Sequence, residues 1–575
     1  MQKDGPLPRY FPFRSALLAL ATAFAPIAAT AQDLGEDAGA YLAARHADVM
    51  GDFDEAARYF TKALAADRTN GPLMEALVAS QISLGNVAQA LPIARLLSAE
   101  KSDNQIANMV ILSQAAQAND FDQIVAMVDE NRGIGPLVDG LIQAWAYAGQ
   151  GEMADALARF DDVSEQPGLM AFGLYHKALA LMTVGDFESA VAIFEGEEGN
   201  ALPPTRRGVV AFAEALSQVE RQDDAVAMID EIFNGQLDPG LSDMRAALAA
   251  GEVLPRTAVR NVADGMAEVF FSIAAALDRE SEDAYTLLYA RIAEDLRPDH
   301  IDAHMLVATI FERMGQYELA TAAFGAIPQD NPAYYAAEAG RADALRKAGR
   351  TDAALEVLQQ LARSHPDIPE VHITLGDMLR SDEKYEAAAK AYTAALEGYS
   401  GEDAGRWTLY FTRGITQERL KNWDNAEADF RKALELEPDQ PQVLNYLGYS
   451  YLEMGENLEE ALEMIEKAVA QRPDDGPITD SLGWGFYLAG RYDEAVVQME
   501  RAVELMPVDA VVNDHLGDVY WAVGRQREAR FQWQRALSFE PEPDEADRMR
   551  RKLEIGLDAV LAEEGADPLK MADGG

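Results

Sequence analysis

The strongest constraint in this chain is a ruler of 34 residues. Ala426, Ala461, Ala495 and Ala529 lie 35, 34 and 34 residues apart, and Pro438, Pro473, Pro507 and Pro541 keep the same intervals. Gly414, Gly448, Gly483 and Gly517 run on that ruler too. A period of this length is too long for one helix face and fits two helices with their turns. Such a unit cannot bury its apolar side alone, so it must stack on copies of itself.

Laid along the chain, the ruler marks clear units at 407–440, 441–475, 476–509 and 510–543, and further units at 301–334, 335–368 and 369–402. Unit 267–300 fits with a shifted second helix; 37–70 and 71–104 are clear, and those near 105, 137, 171 and 206 are degenerate. About fourteen units result. Residues 239–266 read as a spacer or half-unit between an N-terminal array (32–238) and a C-terminal one (267–543). Residues 399–406 read as a loop insertion, 544–563 as one amphipathic capping helix, and 564–575 as a disordered tail.

In 476–509, Leu482, Gly483 and Phe486 share one side of the first helix. Gly490 makes the turn, where a left-handed backbone suits glycine. Asp493 and Glu494 open the second helix, whose dipole favours acids there, and Pro507 follows its end. Gly483 sits in the helix interior at a cost of about 1 kcal/mol against alanine. The expected compensation is a close approach of the paired helix at Ala495.

The set Leu482-Gly483, Phe486, Gly490, Ala495, Ala502 and Pro507, with its equivalents elsewhere, resembles the tetratricopeptide repeat (TPR) family over roughly 37–543. The resemblance implies an all-α, TPR-type α-solenoid superhelix whose concave face binds peptides or proteins. A narrower likeness runs through LNYLGYSYLEMGENLEEALEMIEKAV, ITDSLGWGFYLAGRYDEAV and VNDHLGDVYWAVGRQREARFQWQRAL. These stretches are similar to bacterial envelope TPR proteins, among them adaptors for a periplasmic carboxy-terminal processing protease acting on cell-wall hydrolases. This chain departs from the lipoprotein among them in having no lipid-bearing cysteine.

In each first helix the fifth, ninth and twelfth positions form a stripe about 100° round from the packing side, one residue's rotation. Family resemblance implies that these positions look into the groove. They are Asn445, Tyr449 and Leu452; Asp480, Trp484 and Tyr487; and Asp514, Asp518 and Trp521. Carboxylates and amides can meet an extended backbone or a basic side chain, and aromatics supply rigid contact area. The competing reading is that they pack against the first helix of the next unit.

Other candidates carry less. His300 and His304 stand four apart, the spacing of a helical metal pair, but the HExxH glutamate is missing, and two ordinary histidines are the expectation. Gly133-Ile134-Gly135-Pro136 and Gly483-Trp484-Gly485 lack the lysine and the strand of a phosphate loop. Arg413 takes the slot that Leu447, Leu482 and Leu516 fill, which marks a bend, a buried ion pair with a nearby acid, or an exposed edge.

The formal net charge of −48 argues against nucleic acid and anionic membranes as partners. It reads as solubility, or as a preference for basic partners. The absence of cysteine excludes thiol catalysis, disulfides and zinc–thiolate sites. Lys3, Arg9 and Arg14, then the apolar run SALLALATAFAPIA, then Ala29-Thr30-Ala31 form a secretory leader pattern, with cleavage expected after Ala31. The expectation is a soluble periplasmic scaffold or adaptor without catalytic residues, cofactor or metal, holding protein partners in the groove. A structural role in a polysaccharide-export or outer-membrane assembly complex is the alternative.

Overall fold

The computed structural model describes residues 31–196, 202–234, 237–399, 404–566 and 569, and within these it is helical, with no strand. The chain divides into two compact units, Met1–Arg350 and Thr351–Gly575. Ala29, with the leader expected over 1–31, lies outside the described residues, and Ala31 is the first of them. Most of the tail expected over 564–575 lies outside them too.

In the first unit the helices come as pairs: α1 (Ala31–Val49) and α2 (Phe53–Ala66), α3 (Gly71–Ser83) and α4 (Val87–Glu100), α5 (Gln105–Gln117) and α6 (Phe121–Asp129). Then follow α7 (Pro136–Gln150) and α8 (Met153–Ser164), α9 (Met170–Val184) and α10 (Phe187–Glu195), α11 (Arg206–Gln218) and α12 (Gln222–Phe233). A single helix α13 (Pro239–Ala249) precedes α14 (Val262–Leu277) and α15 (Asp283–Leu296), α16 (Ile301–Arg313) and α17 (Tyr317–Phe324), and α18 (Tyr334–Lys347). The ruler thus holds through the degenerate stretch, because small residues such as Ala107, Ala144 and Ala211 stay fully buried where helices meet.

The unit does not break at 239–266. That stretch holds α13 and the start of α14, and α14 and α15 pack across the first helices α3, α5, α7 and α9. The extended link 250–261 is tied down by buried polar groups. Glu214 accepts from Thr257 N at 2.7 Å and Ala258 N at 3.3 Å, and Arg297 donates to the Thr257 and Ala258 carbonyls at 2.9 and 2.8 Å. Buried backbone must find partners, and here it finds side chains. The stretch expected to separate two arrays is thereby part of one core.

The second unit begins with α19 (Thr351–Ser364) and continues as α20 (Pro369–Ser381) and α21 (Tyr385–Gly398), α22 (Trp407–Arg419) and α23 (Trp423–Leu436), α24 (Pro441–Met454) and α25 (Leu458–Gln471). Next are α26 (Gly476–Leu488) and α27 (Tyr492–Leu505), α28 (Ala510–Ala522) and α29 (Gln526–Leu537), α30 (Pro543–Ile555) and α31 (Leu557–Glu564). Each helix packs on the next, so a continuous core forms from Ala426 to Leu557. Asp475 and Asp509 cap α26 and α28 by accepting from Ile478 N and Val512 N. Gly490 has φ +75°, and the Gly490 and Arg491 amides bond back to the Tyr487 and Phe486 carbonyls, as the turn requires.

Gly483 does make a close approach, but to a different residue from the one expected. A β-carbon there would lie 2.4 Å from Met499 Sδ, one helical turn beyond Ala495. The same slot recurs as Gly376 under Tyr392, Gly414 under Phe430, Gly448 under Ile465 and Gly517 under Trp533. A large side chain of the second helix lies over the glycine of the first, and this burial offsets the helix cost of glycine.

The single capping helix expected over 544–563 is two helices. They meet at Gly556, whose φ of +86° turns the chain and brings its backbone against the Trp521 ring. Arg413, in the leucine slot of α22, is half-buried and forms a fork with Asp429 at 2.6 and 2.8 Å, so the buried ion pair is the arrangement found.

Candidate protein-binding face

Helices α24, α26 and α28 carry the eight groove candidates. On α26, Asp480 is buried and both its oxygens lie 3.1 Å from His515 Nδ1 of α28. The His515 ring stacks on Trp484 with centroids 4.1 Å apart, and Trp484 stacks on Tyr487 at 4.7 Å. Burial opposes a charge on His515, but the Asp480 carboxylate together with the Asp514 and Asp518 charges outweighs it and holds the imidazole above its ordinary value. Asp480, Trp484, Tyr487 and His515 thus form one pre-packed acid–aromatic block.

On α24, Asn445 and Tyr449 are half-buried. Asn445 Oδ1 is buried without a hydrogen-bond partner among the described residues. Burial, then the Glu453 and Asp480 charges, push the Tyr449 hydroxyl far above the usual range.

The α28 residues are already engaged within the chain. Lys552 of α30, with none of its surface exposed, places Nζ 2.7 Å from Asp514 Oδ2 and 2.7 and 2.8 Å from the two Asp518 oxygens. Trp533 Nε1 also donates to Asp518 Oδ1 at 2.9 Å. Trp521 is buried, and its Nε1 donates to Asp558 of α31 at 2.9 Å. Asp514, Asp518 and Trp521 lie beneath α30 and α31 instead of lining an open groove. Burial, followed by the Asp518 charge, raises the Asp514 carboxyl above its usual value, and Asp514 Oδ1 has no partner among the described residues.

Sequence reasoning missed His515, Lys552 and Asp558. One signal was available. Carried past 543, the ruler sets Arg548 and Lys552 at the fifth and ninth positions, opposite in charge to Asp514 and Asp518.

Elsewhere the minor candidates have local structural roles. His300 caps α16 and lies 3.3 Å from Glu268, whereas His304 meets Glu294 at 2.8 Å and the Pro298 carbonyl at 2.8 Å, so the two rings serve different partners. The Gly133–Gly135 turn is filled by Asp139, which accepts from Ile134 N at 2.7 Å. The first unit also holds a cavity of ≈ 580 Å³ lined by Phe172, Phe194, Phe212, Phe271 and Met228. At its polar end Arg207 grips Glu268 and Asp302.

The tetratricopeptide repeat family description matches residues 340–403 and 411–476, and a second description of the same repeat matches 50–110. Over those segments the chain carries tetratricopeptide repeats. The repeats are similar to a TPR repeat-containing protein of Pseudomonas aeruginosa, 33% identical over 156 residues, which is 27% of this chain and 26% of that protein. They are also similar to tetratricopeptide repeat protein 13 of Homo sapiens, 28% identical over 193 residues, 33% of this chain and 22% of that protein. The chain thus spans about a quarter of the length of these curated relatives. Among solved structures, the APC/C hetero-tetramer Cut9-Hcn1 aligns over 91% of this chain and 98% of its own at 15% identity with a TM-score of 0.36. Such repeats generally mediate contacts between proteins, and no helix among the described residues is long and apolar enough to cross a membrane.

Proposed function

We propose that the protein is a non-catalytic adaptor of the bacterial envelope, exported by its 1–31 leader, and that it holds protein partners on the first-helix face of its second unit. The partner-facing residues are Asn445, Tyr449 and Trp484, with Asp480 and Tyr487 buried behind them and holding the Trp484 ring in place. The observation that carries this reading is the half-buried set Asn445, Tyr449 and Trp484 beside the pre-stacked Asp480–His515 block. A pre-organised aromatic surface costs little entropy to dock on. By the resemblance to envelope adaptors, the partners proposed are a processing protease and the cell-wall enzymes it acts on.

The test uses the tagged, exported chain in a pull-down from periplasm with the captured proteins identified by mass. Trp484→Ala and Tyr449→Ala are each expected to lose the specific partner while helical content stays unchanged. Capture that survives both substitutions overturns the assignment of this face. Recovery of an outer-membrane assembly complex and no protease supports the structural alternative. Amino-terminal sequencing of the exported protein should start at Gln32.

A further inference from the structure

The cavity of the first unit uses none of the groove candidates. It has a volume of ≈ 580 Å³ and lies between α9, α11, α12 and α14. Four half-buried phenylalanines, Phe172, Phe194, Phe212 and Phe271, form its walls, together with Ile232, which is 37% exposed. Towards the end of α14, Ala275 and Ala276 contribute only methyl groups, and both are exposed, so the cavity opens beside them. We propose that this cavity binds a small apolar amine, its aliphatic or aromatic body among the phenylalanines and its protonated nitrogen at Asp302.

Three observations carry it. First, the volume falls within the range of about 300–1,000 Å³ usual for small-molecule sites, so a whole ligand fits where one side chain of a protein partner would leave most of the space empty. Apolar walls around a void forfeit dispersion contacts, which a ligand body restores. Second, the walls are set in advance. Phe194 and Phe212 stack with centroids 5.1 Å apart, and the Arg207 guanidinium lies 5.3 Å from the Phe271 ring centre. Third, the polar end offers an acceptor and an unanswered negative charge. Arg207 uses four of its five N–H groups, two on Glu268 and one each on Asp302 and the Ala258 carbonyl. The Tyr175 hydroxyl donates to Glu268 at 2.9 Å. Burial opposes a charge on Glu268, but Arg207 and a hydrogen bond from His300 outweigh it and hold the carboxyl well below its usual range. His300 accepts from Ala303 N on its other nitrogen, and burial lowers its pKa, so it adds no charge at neutral pH. One guanidinium thus faces two carboxylates. Arg206 at the rim is matched by its own fork with Asp238 at 2.7 and 3.0 Å. Asp302 is the carboxylate a ligand can reach. A third of its side chain is exposed, and only its Oδ2 accepts a hydrogen bond among the described residues, from Arg207. An ammonium head would meet this open acceptor, whereas a carboxylate head would meet a like charge and an arginine already engaged.

The experiment titrates the full chain with decylamine, decanol and decanoate at neutral pH, each below its aggregation concentration, and reads binding by isothermal calorimetry. Decylamine is expected to bind at one site per chain and at least about tenfold more tightly than decanoate, the difference made by one charged hydrogen bond, with decanol between them. The chain carries a formal net charge of −48, so surface binding of an amine must be told from binding in the cavity. Ala276→Trp and Ala275→Trp each fill the cavity from an exposed position on α14, and each should weaken decylamine at least about tenfold while helical content and melting stay unchanged. Asp302→Asn keeps the Arg207–Glu268 pair and should remove most of the preference for decylamine over decanoate. The proposal is overturned if decylamine shows no single-site binding, or if the two filled variants bind it as well as the native chain, which would mark surface charge alone. It is overturned equally if decanoate binds as tightly as decylamine, or if the preference survives in Asp302→Asn. Partner capture by the second unit neither supports nor undermines this site.

Discussion

The glycine slot yields a quantitative prediction, because the same substitution meets two different neighbours. In Gly517→Ala the new methyl would lie 2.4 Å from Trp533 Nε1 and 2.5 Å from Cδ1. That ring is fully buried, is too rigid to fold away, and donates to Asp518 at 2.9 Å. Overpacking costs about 1–3 kcal/mol. Moving the indole also forfeits a hydrogen bond to a carboxylate, about 1.5–3 kcal/mol. The helix gains about 1 kcal/mol from losing a glycine. The net expectation is a loss of about 3 kcal/mol. In Gly483→Ala the methyl meets Met499 Sδ at 2.4 Å and Cγ at 2.7 Å, with the Met499 backbone N at 3.2 Å. A thioether chain can rotate aside and the backbone needs to yield by only a few tenths of an ångström, so the helix gain nearly cancels a cost of about 1–2 kcal/mol. Native-state hydrogen exchange reads each repeat separately, which a global melt of a repeat array does not. Amides of 510–537 should open about a hundredfold more often in Gly517→Ala than in the native chain, whereas those of 476–505 in Gly483→Ala should change less than about tenfold. Equal effects at the two sites would refute the argument that side-chain rigidity decides which glycines are obligatory.

Two further outcomes follow from the charged groups. His515 has a folded pKa raised above its unfolded value of about 6.5, so its pairing with Asp480 stabilises fully below that pH and is lost as pH rises through the folded value. Asp480→Asn should therefore lower the melting temperature more at about pH 5.5 than at about pH 9; equal losses at both would show that the pair is not what the substitution removes. Arg413→Leu restores the residue found in the sister repeats, yet it leaves Asp429 buried and unpaired and should cost about 3–5 kcal/mol. Arg413→Leu combined with Asp429→Ala should recover most of that loss in denaturant unfolding, and a single variant as stable as the double would show that the pair carries no coupling.

The division between what could be read along the chain and what could not follows from the reach of a repeat. A 34-residue period records contacts between each helix and its immediate neighbours, which is why Gly483, Gly490 and Asp493 declare a helix pair and its turn in the sequence alone. The identity of the contact over Gly483 was one turn off, Met499 and not Ala495, since a period sets the face of a helix but not which side chain reaches across it. The fifth, ninth and twelfth positions were legible as a stripe, and the structure packs Asp480, Trp484 and Tyr487 into one block with His515.

What the ruler could not record is any contact that breaks it. The packing of α14 and α15 across α3, α5, α7 and α9 occurs once, leaves no period, and turns an apparent spacer into core. The turn at Gly556 likewise occurs once, and it brings Asp558 onto Trp521, which looked open. By itself the sequence determined the helix–turn–helix unit and its period, because these are local and repeated. Only the tertiary structure decided where the chain divides and which part of the stripe the chain itself occupies, because a buried lysine between two carboxylates is a long-range arrangement specified by position in space.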